Sequence, residues 1–388
     1  MRGVSIIGAG KTKFGVFPDR SLKSLIAEAG KKALEDAHVD ASLVQAFYLG
    51  NFAATGFNRQ NHVAAYAATA LGLPNVPCTR TEAACASSGA ALREAVIAVG
   101  SGLYDFVLVG GVEKMNTVET PRVTEYLAQA ADWETEAKIG ATFPSMFALM
   151  AQRHMHEYGT RREHLSAVAV KNHANGAKNP DAHMQKEISM EKANNSQVLV
   201  AEPLNLFDCS LITDGAAAVV VCASEMAGDY SKIPVDIVGH GQASDSFCMY
   251  MKHDITRFEA TIAAGRRAYE MAQLTPEDID VVEVHDCFTI AEIIAIEDLG
   301  FCKKGQGGPF TLEGMTAIAG KIPVNTSGGL KSKGHPVGAT GVAQIAELVL
   351  QLRGQAGARQ VQNAETALSH NLGGSGASCV VHILKRRT

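Results

Sequence analysis

The feature that most constrains the fold of this 388-residue chain is a strand–helix–turn–strand order that occurs twice. The first copy starts with an apolar strand at 4–8, continues through a helix whose apolar residues at 22–34 recur near a 3.6-residue spacing, and ends with a strand at 46–49. The second copy starts at 235–239 and ends with a strand at 281–284. A chain that repeats this order is expected to form two similar α/β halves.

The two copies also continue in the same way. Residues 86–100 and 338–352 each predict a long helix that begins with small residues. Each helix precedes an apolar strand, at 106–111 and at 367–370, and both strands lead into a glycine pair. Because strands that alternate with helices favour parallel pairing, we predict a duplicated βαβαβ-type fold with parallel strands.

One long segment, 118–207, has no counterpart in the repeat. It is polar, rich in His, Asn, Lys and Met, and holds one strong helical pattern near 147–158. An insertion of this length is typical of a lid or binding segment, although a surface excursion without function is the alternative. We therefore expect 1–117 with 208–234 to form one half, 118–207 an inserted covering domain, and 235–388 the other half.

The composition excludes several classes of protein. Apolar residues make up 46 % of the chain and the net charge is −5, which argues against a disordered or fibrous chain and against a nucleic-acid surface. No apolar run reaches membrane-spanning length, and the first residues lead into a strand, not a secretory signal. The eight cysteines lack metal-ligand spacing, so we expect free thiols, no metal site and a cytoplasmic location.

Cys85 is the first candidate for chemistry. It lies among small residues at 82–89, just before the predicted helix, where a substrate can reach its sulfur. The positive end of a helix dipole is expected to lower the pKa of such a thiol, and the thiolate can attack a thioester carbonyl. Backbone N–H groups there can receive the oxyanion. The alternative is a small buried cysteine that packs the helix start.

His335 is the second candidate. Glycines crowd both sides of it, at 328–329 and 334–341, which permits a tight loop at the entrance of a helix. An imidazole is the natural partner of a cysteine nucleophile because its pKa lies near neutrality. The alternative is an ordinary histidine in a glycine-rich turn. A dinucleotide site is a poor interpretation of the glycines, since the first strand leads only into Gly8-Ala9-Gly10.

Two further motifs lie at predicted strand ends, where parallel sheets build their sites. The first, at 285–288, reads His-Asp-Cys-Phe, and its His and Cys can share one pocket. Its aspartate, Asp286, is expected to cap the helix that follows at 289–299. The second, at 369–376, is rich in glycine and can offer backbone N–H donors to a ligand. The alternative for this second motif is a flexible hairpin.

In combination, Cys85, the Gly-His-Pro loop at 334–336 and the Asn-Leu-Gly loop at 371–373 resemble the thiolase family over essentially the whole chain. The motif at 285–288 is similar to the sterol-carrier-protein-type and archaeal-type branch, where the commoner branch has Asn-Glu-Ala-Phe. The segment 171–180 is similar to the same branch.

The resemblance implies a thiolase-like five-layer αβαβα architecture in a homodimer or homotetramer. It implies acyl-CoA substrates whose pantetheine arm enters a tunnel, with no permanently bound cofactor. The activity would be condensation of two acyl-CoAs, or cleavage of acetoacetyl-CoA or another 3-ketoacyl-CoA, through a Cys85 acyl-enzyme. Two alternatives remain: a thiolase subunit that passes its product to a synthase through a small scaffold protein, and a non-catalytic acyl-CoA- or lipid-binding protein.

Residue roles also follow from the resemblance. Most thiolases carry a second catalytic cysteine in a Cys-x-Gly motif, and the corresponding slot here reads Asn-Leu-Gly, so Cys287 is implied as the acid/base. Cys85 is implied as the nucleophile and His335 as the group that activates it. His285, through a water, and the backbone N–H groups of Cys85 and Gly373 are implied to hold the oxyanions. Three further residues are candidates for binding substrate: Asn371, Ser327 and His173.

Overall fold

Strands and helices alternate along the chain in the computed structural model, which describes residues 2–73 and 75–387. Its strands are β1 Val4–Lys11, β2 Ala46–Gly50, β3 Cys78–Thr81, β4 Phe106–Glu113, β5 Leu199–Ala201, β6 Leu204–Asn205, β7 Gly215–Ala223, β8 Val235–Ser244, β9 Val281–Glu283, β10 Thr366–Gly373 and β11 Ser378–Arg386.

Its α-helices are α1 Leu22–Asp36, α2 Ala54–Asn58, α3 Val63–Ala70, α4 Ser87–Gly100, α5 Thr120–Ala128, α6 Phe143–Tyr158, α7 Arg162–Ala177, α8 Met190–Asn194, α9 Glu259–Ala272, α10 Thr289–Asp298, α11 Gly307–Leu312, α12 Gly329–Ser332 and α13 Thr340–Leu352. Short 3-10 turns are Ala41–Leu43, Ala137–Ile139, Leu206–Asp208, Ser224–Asp229, Met249–Met251, Pro276–Asp278, Val337–Ala339 and Gly357–Arg359.

The main sheet has the strand order β3-β2-β4-β7-β1-β8-β11-β10-β9, and the repeat in the sequence is visible in it. In the first half, β1 pairs antiparallel with β7, and β7 pairs antiparallel with β4. Further outward, β4 pairs in parallel with β2, and β2 in parallel with β3. On the other side, β8, β11, β10 and β9 follow the same series, which a parallel bridge between Val282 and Val324 completes. The two halves meet where β1 pairs with β8.

The prediction of parallel strands is therefore wrong for the centre of the sheet. The strands β7 and β11 run antiparallel to β4 and β10. The strand β11 follows β10 through a tight turn at 374–377, and a hairpin connection can only produce antiparallel neighbours. Only the outer strands of each half pair in parallel, as predicted.

Three apolar clusters show how the layers are stacked. The helices α1 and α3 pack on one face of the first half of the sheet, and α9 and α10 pack on one face of the second half. The helices α4 and α13 contribute to a third cluster that also contains side chains from both halves, such as Val109 and Leu384. Two helices thus lie between the two halves of the sheet, and the order of layers is helix, sheet, helix, sheet, helix.

The central position of α4 and α13 explains their composition. Nearly every residue of both helices is buried, including polar ones such as Gln344 and Glu347, so both helices are enclosed on all sides. Their first turns approach so closely that a Cβ on Gly341 would lie 2.4 Å from the backbone nitrogen of Gly89. Small residues at both helix starts are therefore required by packing.

The insertion is more ordered than a loop. It carries α5 to α8, and its predicted helix near 147–158 is part of the longer α6. The helices α6 and α7 contribute Phe147, Leu165 and Val168 to the core of the second half. Val123 of α5 shares an apolar cluster with Phe57 of the first half, so the insertion has buried apolar contacts with both halves.

No helix within residues 2–73 and 75–387 has the length and apolar character needed to cross a bilayer. All eight cysteines carry free thiols. The domain boundaries predicted above stay a prediction, because the continuous main sheet offers no break at which to test them.

Candidate active site

A tight turn between β3 and α4 presents Cys85. Ala84 adopts a left-handed backbone with φ of 50°, and the backbone N–H of Ala86 donates to the carbonyl oxygen of Ala83 at 2.9 Å. The hydroxyl of Ser87, the first residue of α4, accepts from the N–H of Ala83 at 3.0 Å. The helix start and the strand end are thus tied together, with the sulfur held between them.

His335 lies in the glycine loop before α13. Its Nδ1 is 2.8 Å from the hydroxyl of Thr340, and that hydroxyl donates to the carbonyl oxygen of Pro336 at 3.1 Å. Since the hydroxyl has one proton and donates it to the carbonyl, it accepts from His335 Nδ1–H. The other ring nitrogen, Nε2, is then unprotonated in the neutral imidazole and can accept a proton.

The structure brings Cys85 and both predicted histidines together. The sulfur of Cys85, one ring nitrogen of His285 and one of His335 all lie within 4.8 Å of one another. The two rings meet edge to face, with centroids 5.0 Å apart. Residues from three distant parts of the chain therefore form one cluster, as the sequence predicts.

The His-Asp-Cys-Phe motif follows β9, and one expectation for it is wrong. The helix α10 begins at Thr289 as predicted, but no side chain caps its N-terminus. The carboxylate of Asp286 instead accepts from the backbone N–H groups of Leu330 at 2.7 Å and Lys331 at 3.2 Å. Asp286 thus caps α12, which is remote in sequence, because the chain after β9 turns toward the glycine loop.

Cys287 faces the same cavity as Cys85. Its carbonyl oxygen accepts from the N–H of Ser210 at 2.9 Å, and the neighbouring Phe288 forms a bridge with Cys209. The chain segment after the insertion therefore holds Cys287 in place from the opposite side.

The glycine motif at 369–376 forms the end of β10 and the turn into β11, so it is a hairpin that also reaches the site. Asn371 donates through Nδ2 to the carbonyl oxygen of Cys85 at 2.9 Å. Gly374, with φ of 62°, lines the cavity, and its N–H is a hydrogen-bond donor to the sulfur of Cys85. Gly373 precedes it as the last residue of β10. The oxyanion role predicted for Gly373 stays a prediction, and Gly374 is the donor that reaches the sulfur.

None of the three candidates for substrate contact lines the cavity: Asn371 donates to the carbonyl oxygen of Cys85 as described above, and the other two have different partners. Ser327 is fully buried and donates its hydroxyl proton to Glu283 at 2.5 Å. His173 is buried beside Phe207, with Nδ1 3.0 Å from the carbonyl oxygen of Lys186. Neither side chain lines the cavity that contains Cys85.

Burial controls the charge state of the site. It raises the pKa of Cys85 to about 12, although the N–H of Gly374 acts in the opposite direction. The expectation that the helix start lowers this pKa is wrong, because loss of water outweighs a partial charge at the helix end. Burial, with the nearby Cys85 and Asp286, raises the pKa of Cys287 well above its usual value. Burial and then Lys333 lower the pKa of His335 to about 3. At neutral pH the resting groups are therefore a neutral thiol pair and a neutral imidazole.

A cavity of about 350 Å³ opens onto these groups. Cys85, Cys287, His335 and Gly374 lie on its wall. The insertion supplies a large apolar share of the lining: Leu127, Ala130, Phe143, Pro144, Phe147, Val200 and Leu206.

Cys85, His285 and His335 are also close enough to share a metal ion. Metal-bound histidines donate their second ring N–H to an acceptor. At His285 the pattern is reversed, because the amide nitrogen of Asn371 lies 3.3 Å from Nδ1 and can only donate. The expected absence of a metal stays a prediction.

Several residues of the site were not predicted from the sequence. The sequence marks Thr340 only as part of a helix start, although its hydroxyl follows the loop histidine by five positions. Glu113, at the end of β4, accepts from the N–H of Gly338 at 3.0 Å and from that of Ala53 at 3.1 Å, which joins the glycine loop to the first half. No local pattern marks Glu113, because its partners are far away in sequence.

Comparisons with known proteins agree with this geometry. The family model described as Thiolase, N-terminal domain matches residues 4–225, and that described as Thiolase C-terminal domain-like matches 241–386. An acetyl-CoA acetyltransferase of Methanothermobacter thermautotrophicus is 52 % identical over 386 residues, which is 100 % of each chain. Sterol carrier protein 2 of Bos taurus is 36 % identical over 97 % of this chain and 71 % of its own.

The solved structure of the Ltp2-ChsH2(DUF35) aldolase matches with a TM-score of 0.87 and 28 % identity, over 99 % of this chain and 97 % of that chain. Together with the layers described above, this match confirms the predicted fold class. The two family models between them cover nearly the whole sequence. The chain belongs to the thiolase family.

Proposed function

We propose that the protein is an acetyl-CoA C-acetyltransferase, which joins two acetyl-CoA molecules into acetoacetyl-CoA and CoA or catalyses the reverse cleavage. The observation that carries the proposal is the cluster of Cys85 and two imidazoles within 4.8 Å, in which Cys85 and His335 lie on the wall of a cavity that also holds Cys287. The acetyl-CoA acetyltransferase that matches over the full chain supports the choice of substrate. CoA thioesters act here as substrates, and the residues of the site need no further cofactor for this chemistry.

The first step forms an acyl-enzyme on Cys85. Because the resting thiol is neutral, attack on the thioester carbonyl requires that its proton move to Nε2 of His335 as the sulfur–carbon bond forms. The carbonyl oxygen becomes an oxyanion, and we propose that the backbone N–H groups of Cys85 and Gly374 donate to it. Each such donor contributes about 2.7–4 kcal/mol to the transition state. The thioester bond then breaks, and the CoA thiolate leaves with the proton of the Cys287 thiol, which becomes a thiolate, while His335 keeps the proton of Cys85.

The second step joins the acyl group to a second acetyl-CoA. The Cys287 thiolate left by the first step removes a proton from the α-carbon of that substrate, and the resulting enolate attacks the acyl carbon on Cys85. The bond between that carbon and the sulfur breaks, which releases acetoacetyl-CoA, and the Cys85 thiolate takes its proton back from His335. His285 donates a hydrogen bond to the enolate oxygen while that oxygen carries the negative charge. Holding both partners in one cavity contributes about 7–11 kcal/mol through orientation.

A second candidate is the same chemistry within a larger assembly. The Ltp2-ChsH2(DUF35) aldolase is, by its name, a complex of two proteins, and a benzoylsuccinyl-CoA thiolase subunit of Thauera aromatica is 37 % identical over 96 % of this chain. In that case the chain passes its product to a synthase through a small scaffold protein. We also retain a homodimer or homotetramer in the cytoplasm as part of the proposal.

The test is thiolysis of acetoacetyl-CoA by the purified chain, with Cys85→Ala and Cys85→Ser as variants. We expect the wild type to be active and both variants to be inactive, whereas Cys302→Ser, a half-buried thiol outside the cavity, keeps wild-type activity. Activity that appears only with a co-purified partner favours the assembly. A wild type that binds acyl-CoA without turnover favours a non-catalytic binding protein and overturns the proposal.

A further inference from the structure

We propose that Asn371 is a positioning residue that decides which ring nitrogen of His285 carries the proton. Its amide makes His285 present an N–H at Nε2, so that this imidazole donates to substrate oxygen and does not accept protons. The inference deepens the proposed function, and only the kinetic part of its test rests on that function.

The orientation of the Asn371 amide follows from one neighbour. The atom of Asn371 that lies 2.9 Å from the carbonyl oxygen of Cys85 must be the NH2 group, because a carbonyl oxygen only accepts. The same nitrogen lies 3.3 Å from Nδ1 of His285. An amide NH2 has no acceptor capacity, so Nδ1 of His285 accepts, and the ring proton of the neutral imidazole resides on Nε2.

The oxygen of the amide lies against two helix starts. Asn371 is buried, and its Oδ1 faces the first turns of α4 and α13. A Cβ on Gly89 would lie 2.7 Å from this oxygen, and one on Gly341 would lie 2.3 Å from it. The amide oxygen therefore fits between the two helix starts only because both positions are glycine.

His370, the residue before Asn371 on β10, holds the main chain of His285. The N–H of His285 donates to Nδ1 of His370 at 3.3 Å, and Nε2 of His370 is 2.9 Å from the hydroxyl of Thr261. Successive side chains of a strand point to opposite faces. His370 thus fixes the backbone of His285 from one face, and Asn371 fixes its ring from the other.

The result is a pair of imidazoles with opposite proton arrangements. Thr340 leaves Nε2 of His335 free to accept, whereas Asn371 leaves Nε2 of His285 protonated. Burial, followed by the neighbouring His335 and His370, lowers the pKa of His285 well below its usual value, so it stays neutral. One imidazole can therefore take the proton of Cys85 while the other donates to a developing oxyanion.

Nitrogen NMR on the full-length protein with labelled histidine reads the tautomer directly, because protonated and unprotonated ring nitrogens differ in chemical shift. The His285 signals are assigned by their loss in His285→Gln. We expect the wild type to show a protonated Nε2. In Asn371→Asp, a carboxylate oxygen replaces the donor, and we expect the proton to appear on Nδ1. A protonated Nδ1 in the wild type, or an unchanged tautomer in Asn371→Asp, overturns the inference.

Kinetics provide an independent readout. Loss of one oxyanion donor lowers kcat by about 10²-fold, so we expect Asn371→Ala and His285→Gln each to lower kcat by that factor with little change in KM. If Asn371 acts through His285, the double variant is no slower than His285→Gln alone. Losses that multiply in the double variant contradict the inference, because they mean that Asn371 acts separately on the Cys85 turn.

The failure of the inference is distinguishable from that of the proposed function. A wild type without thiolysis activity overturns the function, while the tautomer measurement on the same protein still decides the role of Asn371. An active wild type with a protonated Nδ1 overturns only the inference. If Asn371→Ala does not fold, the wild-type spectrum and the nearly isosteric Asn371→Asp keep the inference testable.

Discussion

The imidazole of His285 meets that of His335 edge to face, with ring centroids 5.0 Å apart and an angle of 81° between the ring planes. One ring follows β9 and the other precedes α13, and both lie within 4.8 Å of the sulfur of Cys85. At this distance, one neutral imidazole can accept a proton while the other donates a hydrogen bond. Two charged imidazoles would repel each other, and burial disfavours the charged form of each, which is the physical reason that both stay neutral.

Replacing Cys287 tests the second half-reaction separately from the first. We expect Cys287→Ala to lower kcat by at least about 10²-fold, since a positioned acid/base contributes about 10²–10⁴. The acetyl group should still load onto Cys85, where mass spectrometry of the trapped protein detects it. Cys287→Ser serves as the conservative comparison. Unchanged turnover in Cys287→Ala contradicts the acid/base role.

The hydroxyl of Thr340 should matter for the first half-reaction. In Thr340→Val, Nδ1–H of His335 loses its acceptor inside the protein, which costs about 1–3 kcal/mol. We expect the rate of Cys85 acylation to fall by roughly one to two orders of magnitude, in proportion to that cost. Thr340→Ser retains the hydroxyl and should keep most of the rate. Equal rates in Thr340→Val and the wild type mean that the ring is held by other contacts.

Alkylation by iodoacetamide tests the charge state of the nucleophile. Because burial raises the pKa of Cys85 to about 12, the thiolate fraction of the free protein should rise about tenfold per pH unit. We expect the alkylation rate of Cys85 to increase without a plateau from about pH 7 to about pH 10. A plateau near neutral pH would falsify the neutral resting thiol and restore the expectation of a helix-stabilised thiolate.

A buried cluster of three charged side chains links the two halves. We expect it to make the free energy of unfolding depend on pH. Although burial disfavours its charge, Lys11 and Arg359 hold the pKa of Glu347 at about 2. The nitrogen Nε of Arg359 lies 2.7 Å from Oε1 of Glu347, and Nζ of Lys11 lies 3.4 Å from Oε2. A carboxylate whose pKa is lowered on folding stabilises the protein above its unfolded pKa, and this stabilisation is lost as the pH falls toward the folded value.

We therefore expect Glu347→Gln to lower the free energy of unfolding by about 3–5 kcal/mol at neutral pH. The difference from the wild type should narrow as the pH falls from about 4.5 to about 2. Urea unfolding at a series of pH values measures both effects, and the exposed pair of Glu35 with Lys31 provides the control variant Glu35→Gln. A difference that does not change with pH contradicts the assigned pKa.

Local patterns in the sequence predicted the elements well. Residues 86–100 predicted a helix that the structure places at Ser87–Gly100, and the helix expected at 289–299 is Thr289–Asp298. The periodicity of apolar residues carries this information, because burial repeats with the turn of the helix. The repeat itself was also readable, since both copies keep the same order of elements.

Contacts between distant residues were not readable. Asp286 was expected to cap the next helix, and it caps α12 because the fold brings Leu330 closer than the start of α10. The prediction of parallel strands is wrong at β7 and β11, because the direction of these strands depends on the path of the connections and not on strand composition. The pKa of Cys85 was predicted to fall and instead rises, because exclusion of water depends on the whole surrounding fold.

The sequence alone therefore determined the repeated order of strands and helices and the residue types able to do thioester chemistry: Cys85, His285, Cys287 and His335. The tertiary structure decided where the protons of that chemistry reside. Thr340 and Asn371 lie beside the two imidazoles only after the halves have folded around α4 and α13. Hydrogen-bond direction depends on the atom that lies opposite, and no local pattern in the chain encodes that neighbour.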